Sequence, residues 1–280
     1  MDSIKNLNSK KFALVLILFF LMFAFSGCVK KEEVGEVFIG GTEGIKAEFV
    51  DLPTKTYPNI PFNIGLKLEN KGETEVKEGE IFIILNNPTA FNIGVDTLKK
   101  NKRDLPAATL KGKGTVIYTE PEFIFWDNAS VSMPGITSEQ KIPLSVTITY
   151  PYKTKMLVMA CATDSDKYCA PEGAQKVSNS GAPVQITSFK QQVIPFPNGG
   201  VRLIFLITVE NKGNGFIEQI TISNATFAGK PIELKECDIV LGATTRCYFD
   251  VTKETYDQLY LELDYNYTQT ISTEISVMPD

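Results

Sequence analysis

The sequence predicts an all-β chain, two tandem β-sandwiches behind an N-terminal hydrophobic segment. Three observations carry this. Apolar and polar residues alternate with period two in short runs bounded by Gly, Pro and Asn, the pattern of half-buried strands. No window of residues 45–160 shows a sustained 3.6-residue period between helix caps. A turn of the same composition, Glu-Asn-Lys-Gly, stands at Glu69-Asn70-Lys71-Gly72 and again at Glu210-Asn211-Lys212-Gly213.

The chain opens with Lys5, Lys10 and Lys11, continues through an unbroken apolar run at 12–25, and reaches Ser26-Gly27-Cys28. A positive start, an apolar core and small residues are the layout of a secretory signal. Phe25-Ser26-Gly27-Cys28 resembles a lipobox, the site at which prokaryotic lipoproteins are cleaved and lipidated. The resemblance implies a signal peptide over 1–27 and Cys28 as the lipid-bearing first residue of the mature chain. Phe25 departs from the Leu usual in that family. The alternative is an uncleaved signal anchor, because residues 12–29 as a helix span roughly 27 Å, close to the roughly 30 Å of a bilayer core. Either way the expected location is the outer face of the cytoplasmic membrane, at the cell surface, with the membrane as partner through lipid or helix.

Residues 28–44, charged and with four glycines, read as a tether. Its Gly40-Gly41-Thr42-Glu43-Gly44 cluster lacks the lysine and the following helix of a phosphate loop. The first sandwich is expected over 45–160. Strands are read at 45–50, at 62–69 with Phe62, Ile64, Leu66 and Leu68 on one face, at 80–85, at 114–119, and as a hairpin pair at 142–150 and 155–160. Asn70-Lys71-Gly72 supplies a turn in which Gly72 suits a positive φ. The charge run at 99–103 reads as a solvated loop. Phe123, Phe125 and Trp126 form the most aromatic window; it reads as core packing, or alternatively as a stacking platform for a carbohydrate.

Residues 161–182 carry Cys161, Cys169 and a Pro/Gly/Ser-rich stretch, the composition of a closed loop and linker. The second sandwich is expected over 183–280, with strands at 184–189, 201–210, 217–223, 232–234, 245–252, 258–267 and 271–278 and a strong turn at 195–200.

Composition excludes several roles. The formal net charge is −5, and −7 once the three lysines and one aspartate of 1–27 are removed. Such a chain lacks the clustered cations that phosphate neutralisation needs, so no nucleic-acid partner is expected. With no histidine, His-dependent triads, His general bases and His-containing zinc sites are excluded. No P-loop, Gly-x-Ser-x-Gly or dinucleotide fingerprint occurs, Asp and Glu are scattered, and neither a catalytic residue nor a cofactor is assigned.

Setting Cys28 aside leaves Cys161 near Cys169 and Cys237 near Cys247. Proximity favours these two local disulfides among the three connectivities, and an exported chain tolerates them. Intervals of seven and nine residues do not fit a zinc ribbon, so no metal is assigned. Asp164 and Asp166 lack the rest of a calcium loop. Acceptor triplets begin at Asn128, Asn224 and Asn266, candidate N-glycosylation sites on an exported chain.

The two halves read as copies. Residues 68–72 align with 209–213; Gly112, Thr115 and Tyr118 align with Gly242, Thr245 and Tyr248; and 149–152 align with 264–267. The first copy holds the longer insertions, among them 128–139. This order of strand, Glu-Asn-Lys-Gly turn, strand and Leu-Gly turn resembles the immunoglobulin-like domains of prokaryotic, chiefly archaeal, surface lipoproteins. The nearest is the cell-adhesion-related bacterial type abbreviated CARDB. The second copy, with Leu241-Gly242, lacks the Pro-Gly turn often found there. The resemblance implies tandem immunoglobulin-like sandwiches with a structural or adhesive role, a surface protein or glycan as partner, and no shared catalytic residues. Capture of a solute or carbohydrate at 123–126 and the adjacent loop is the alternative.

Overall fold

The computed structural model describes residues 38–94, 97–111, 114–163, 173–197 and 199–279. The apolar leader, Cys28, Asp164, Asp166 and Cys169 lie outside the described residues. Among the described residues no helix is long and apolar enough to cross a membrane. The fold is all-β; a 3₁₀ turn at Pro88–Phe91 is the one helical element described.

Strands β1 (Ile45–Val50), β3 (Phe62–Asn70) and β8 (Glu122–Ala129) form one sheet in the order β1-β3-β8. A second sheet runs β10-β12-β13-β16, from β10 (Gly173–Ala174), β12 (Val184–Pro195), β13 (Val201–Asn211) and β16 (Thr244–Val251). Both lie against a large sheet ordered β15-β14-β17-β9-β4-β5: β15 (Lys230–Pro231), β14 (Phe216–Phe227), β17 (Thr255–Val277), β9 (Gln140–Ala162), β4 (Phe82–Asn86) and β5 (Leu98–Lys100). Short β11 (Ser178–Asn179) joins the β9 side and β2 (Lys55–Thr56) the β17 side; β6 (Thr109–Lys111) and β7 (Thr115–Ile117) make a separate hairpin.

The spine is the pair β9 and β17. Each is 23 residues long, and they pair antiparallel along their whole length, from Gln140↔Val277 to Ala162↔Thr255. The first part of β9 backs the β1-β3-β8 sheet, and its last part backs the second. Their inner faces contribute Leu144, Val146, Ile148, Met156, Leu261 and Leu263 to one continuous apolar core.

Register turns the sequence repeat into a symmetry. Ile45 pairs with Asn70 as Val184 pairs with Asn211. Tyr150 pairs with Tyr267 and Tyr152 with Tyr265, around Pro151↔Asn266. Exchanging 150 with 265 and 152 with 267 maps this ladder onto itself. The two halves therefore meet through their last strands about a pseudo-twofold axis at Pro151–Asn266, in the manner of an isologous dimer interface.

Several sequence expectations are corrected. Residues 142–150 and 155–160 are not a hairpin pair but one strand, whose even-numbered positions stay buried from Leu144 to Ala162. Pro151 is accommodated inside that strand because it sits beyond the last β4 pair at Thr149 and before the first β11 pair at Met156. A ladder open on that side tolerates proline. Likewise 258–267 and 271–278 are one strand. Residues 232–234 are not a strand, and 114–119 shrinks to exposed β7, paired with β6 alone. The charge run at 99–103 is partly edge strand: Lys100 lies 4.4 Å over the Phe82 ring and Asn101 is buried, bonded to Ile81, Lys77 and Arg103. The middle landmark of the repeat also moves. Ile64 pairs with Trp126 as Phe205 pairs with Cys247, so β8, not the 115–118 segment, is the counterpart of β16.

Gly72 does not adopt a positive φ. A Cβ there would overlap the Tyr152 hydroxyl, as one at Gly213 would overlap that of Tyr267. Both repeat glycines serve close approach of a tyrosine. The end of the glycine-rich tether is likewise docked. The Glu73 carboxylate accepts hydrogen bonds from the Ile39, Gly40 and Gly181 N–H groups, and Lys71 N–H donates to Gly44 O.

Candidate functional site

The aromatic window lies on β8, where strand alternation divides it. Ile124 and Trp126 face the core, each 3% exposed, while Phe123 (50%) and Phe125 (37%) face outward. Phe125 pairs with Gly65, and its ring crosses that glycine: a Cβ there would come within 2.8 Å of the ring and 2.7 Å of Val50 O. Phe123 pairs with Lys67, which lies 3.4 Å from Glu69 and 3.9 Å from Glu48. The three candidate platform rings thus do not share a face. Trp126 belongs to the sandwich interior, and the outward surface is a Phe pair beside partnered charges.

The same strand holds two buried polar atoms without a partner among the described residues, Trp126 Nε1 and Glu122 Oε2. The other Glu122 oxygen accepts from Lys102 N–H at 2.6 Å.

At the pseudo-twofold axis four tyrosines pack together, with ring centroids of Tyr150 and Tyr152 5.6 Å apart and of Tyr150 and Tyr267 5.7 Å apart. Three of the hydroxyls tie the large sheet to β1, to the end of β3 or to a turn, and the fourth bonds within the sheet. Tyr150 accepts from Ile45 N–H (3.1 Å) and Tyr267 from Gly215 N–H (2.6 Å). Tyr152 donates to Asn70 Oδ1 (3.0 Å), and Tyr265 shares a hydrogen bond with Thr154 Oγ1 (3.0 Å). Asn70 and Asn211 brace their turns identically: each Nδ2 donates to the carbonyl four residues on and each Oδ1 accepts from the glycine N–H two residues on. Burial pushes all four phenols up from the ordinary 10.0. These groups stay neutral and structural.

Two open grooves flank the large sheet. One of about 480 Å³ lies at the axis, with Lys77, Glu80, Lys153, Asp264 and Asn266 among its lining. Its charges are partnered: Lys153 bonds Glu262 (2.7 Å) and Asp264 (3.2 Å), and Lys77 bonds Glu75 (2.7 Å) and Asp104 (3.3 Å). The other, about 610 Å³, lies between β14 and residues 232–239. Asn266 opens onto the first groove and Asn224 onto the second, while Asn128 sits at the β8 bulge with φ 58°; all three are exposed. Among the described residues no three Cys, Asp or Glu gather to hold a metal ion.

The cysteines divide similarly. Cys237 is disulfide-bonded to Cys247, with Cα atoms 4.5 Å apart. This fastens residues 235–241 over the free edge of β16, where Lys235 and Tyr248 exchange backbone hydrogen bonds of 2.9 and 3.1 Å. Cys161 is buried and disulfide-bonded, and Gln191 brackets its backbone, accepting from its N–H and donating to its carbonyl.

Sequence reasoning missed the tyrosine seam and the Glu73 clamp. A signal for the first was present: Tyr-x-Tyr places two phenols on one face of a strand, and buried phenols need partners. Glu73 had none, because its partners are backbone N–H groups distant in sequence. The chain matches no known family, no curated protein sequence and no solved structure.

Proposed function

We propose that this chain is a membrane-anchored, non-catalytic cell-surface module with a structural or adhesive role. In this reading it is a prokaryotic, archaeal-type lipoprotein held at Cys28 on the outer face of the cytoplasmic membrane. Its halves are two immunoglobulin-like sandwiches of the cell-adhesion-related type, and its partner is a surface protein or glycan. The observation that carries the reading is the route of the chain out of its N-terminal segment. Residues 39–44 enter directly at the seam, held by Glu73, Lys71 and Gln185, beside a ladder that pairs all 23 residues of β9 with β17. Load applied at the N-terminus thus reaches both halves at once, as an anchored spacer requires. Exposed sequons at Asn128, Asn224 and Asn266, and disulfides at Cys237–Cys247 and Cys161, suit an exported chain.

Protease shaving of intact cells is expected to release peptides from 45–280. Intact mass of the extracted chain is expected to show loss of 1–27 and added lipid at Cys28. A chain wholly protected in intact cells overturns the surface reading. Beads coated with the chain should attach to cells more than uncoated beads; equal attachment would remove the adhesive part.

A further inference from the structure

The pseudo-symmetry exposes a difference between equivalent edges. In the second half, the β16 edge is covered by residues 235–241 and fixed by Cys237–Cys247. Its counterpart β8 pairs with β3 alone, and among the described residues no further backbone-to-backbone hydrogen bond reaches 123–127. An uncovered strand edge flanked by apolar side chains is a template for another strand.

We propose that β8 is a self-association edge, on which a second copy of this chain pairs antiparallel through residues 121–127 about a twofold axis at Ile124. The side chains of β8 itself select this occupant and this register. With Ile124 opposite its own copy, Phe123 falls opposite the partner copy's Phe125, and the reverse, so the two exposed Phe pairs merge into one aromatic stripe. Glu122 falls opposite Trp126 of the other copy. These residues carry Oε2 and Nε1, an unpartnered acceptor and donor on residues 94% and 97% buried, and cross-strand neighbours on one face are within reach of each other. Asp127 falls opposite Pro121, whose carbonyl holds the Arg103 guanidinium, so an anion meets a cation twice across the axis. A shift by two residues to a twofold at Phe125 loses both complementarities, setting Phe123 against Asp127 and Glu122 against Asn128. The molecule builds its own interior the same way, pairing β9 and β17 about a pseudo-twofold axis.

The full chain, purified in detergent with the detergent mass subtracted, is expected to sediment as a dimer in the micromolar range. It should become monomeric when Phe123→Lys and Phe125→Lys are combined, with unchanged circular dichroism and melting temperature. Because Trp126 is the sole tryptophan, its emission should shift on dilution of the parent and stay fixed in the double variant. In a Cys28→Ser background, oxidation should crosslink Phe123→Cys/Phe125→Cys but not Phe125→Cys alone. Should the lysine variant misfold, amide exchange of the parent decides: residues 122–129 should slow with rising concentration and 244–251 should not. A parent that stays monomeric, a dimer indifferent to both lysines, or exchange at 122–129 independent of concentration overturns the proposal.

Discussion

The two halves of this molecule share a plan and differ in how each is closed. Both place a three-stranded unit over the common sheet, β1-β3-β8 in one and β12-β13-β16 in the other, and both anchor an Asn-Lys-Gly turn beneath a tyrosine. The second half covers its outer edge with its own chain and a disulfide. The first leaves β8 open, and carries a longer excursion between its turn and β8 that includes the exposed β6–β7 hairpin. Duplicated sequence thus conserves the seam, where each copy needs the other, and diverges at the edges, where nothing internal holds it.

The largest expected effect tests whether the halves are energetically one. Leu66→Ala in the first half and Ile207→Ala in the second each empty a fully buried site and should cost about 2–5 kcal/mol. Since β9 and β17 serve both cores, each variant should lower a single cooperative transition followed by calorimetry. Two separated transitions, with each variant moving one, would break the comparison at its root.

Next comes the edge that is covered. Replacing Cys237 and Cys247 together by Ala should destabilise by about 2–3 kcal/mol, as expected for opening a short closed loop. It should also make the second half resemble the first, with amides of 244–251 exchanging faster while 122–129 are unchanged. Unchanged protection of β16 would show that the Lys235–Tyr248 pairing holds without the covalent link.

The seam should respond alike on both sides of the axis. Tyr152→Phe removes the acceptor of the Thr74 N–H and one of the two donors to Asn70 Oδ1, Tyr267→Phe removes the acceptor of the Gly215 N–H, and each should cost about 1–2 kcal/mol. A several-fold disparity in denaturant titrations would mean that the repeat is geometric without being energetic. The tyrosines also set an alkaline limit. Their folded pKa values lie above the ordinary 10.0, so this contribution is complete below pH 10 and is lost as pH climbs toward the folded values. The phenolate absorbance contributed by these four buried tyrosines should therefore rise in one step with unfolding; smooth titration of all four in a folded chain contradicts their burial.

Much of this was legible in sequence. Period-two alternation located β1, β3 and the buried face of β9, and the paired Asn-Lys-Gly turns and Tyr-x-Tyr segments marked equivalent places. What escaped was non-local. Nothing near Pro151 announces that β17 continues on one side of it while the other side lies open. Gly72 reads as a turn glycine because the phenol above it comes from 80 residues away. Thr115 and Tyr118 aligned with Thr245 and Tyr248 by composition, but only the pairing of β3 and β13 shows that Trp126 occupies the place of Cys247. The aromatic window likewise looked like one surface until strand geometry sent Trp126 inward and Phe123 and Phe125 outward.

The smallest expected effect lies on the outer face of the large sheet, where the axis relates unlike chemistry. Lys153 and Lys155 pair in register with Asp264 and Glu262, and the symmetry-related positions are Thr268↔Thr149 and Thr270↔Thr147. One side is therefore held by the Lys153–Glu262–Asp264 network, the other by hydroxyl pairs at 2.9 and 3.2 Å. Burial works against the Glu262 charge, but donation from Lys153 and Tyr260 outweighs it and holds its pKa below the ordinary 4.5. The contribution is complete above about that pH and is lost as pH falls through the lowered folded value. Partial exposure screens the network, so Lys153→Met should cost less than about 1 kcal/mol, and the loss should shrink as salt rises. Thr149→Val with Thr268→Val removes both hydroxyls of a pair and should leave stability nearly unchanged, with no dependence on salt or on pH between 3 and 8. Melting temperatures over that grid separate the two sides. If the threonine variant proved salt-sensitive or the lysine variant did not, the division of this face into ionic and hydroxyl halves would be wrong.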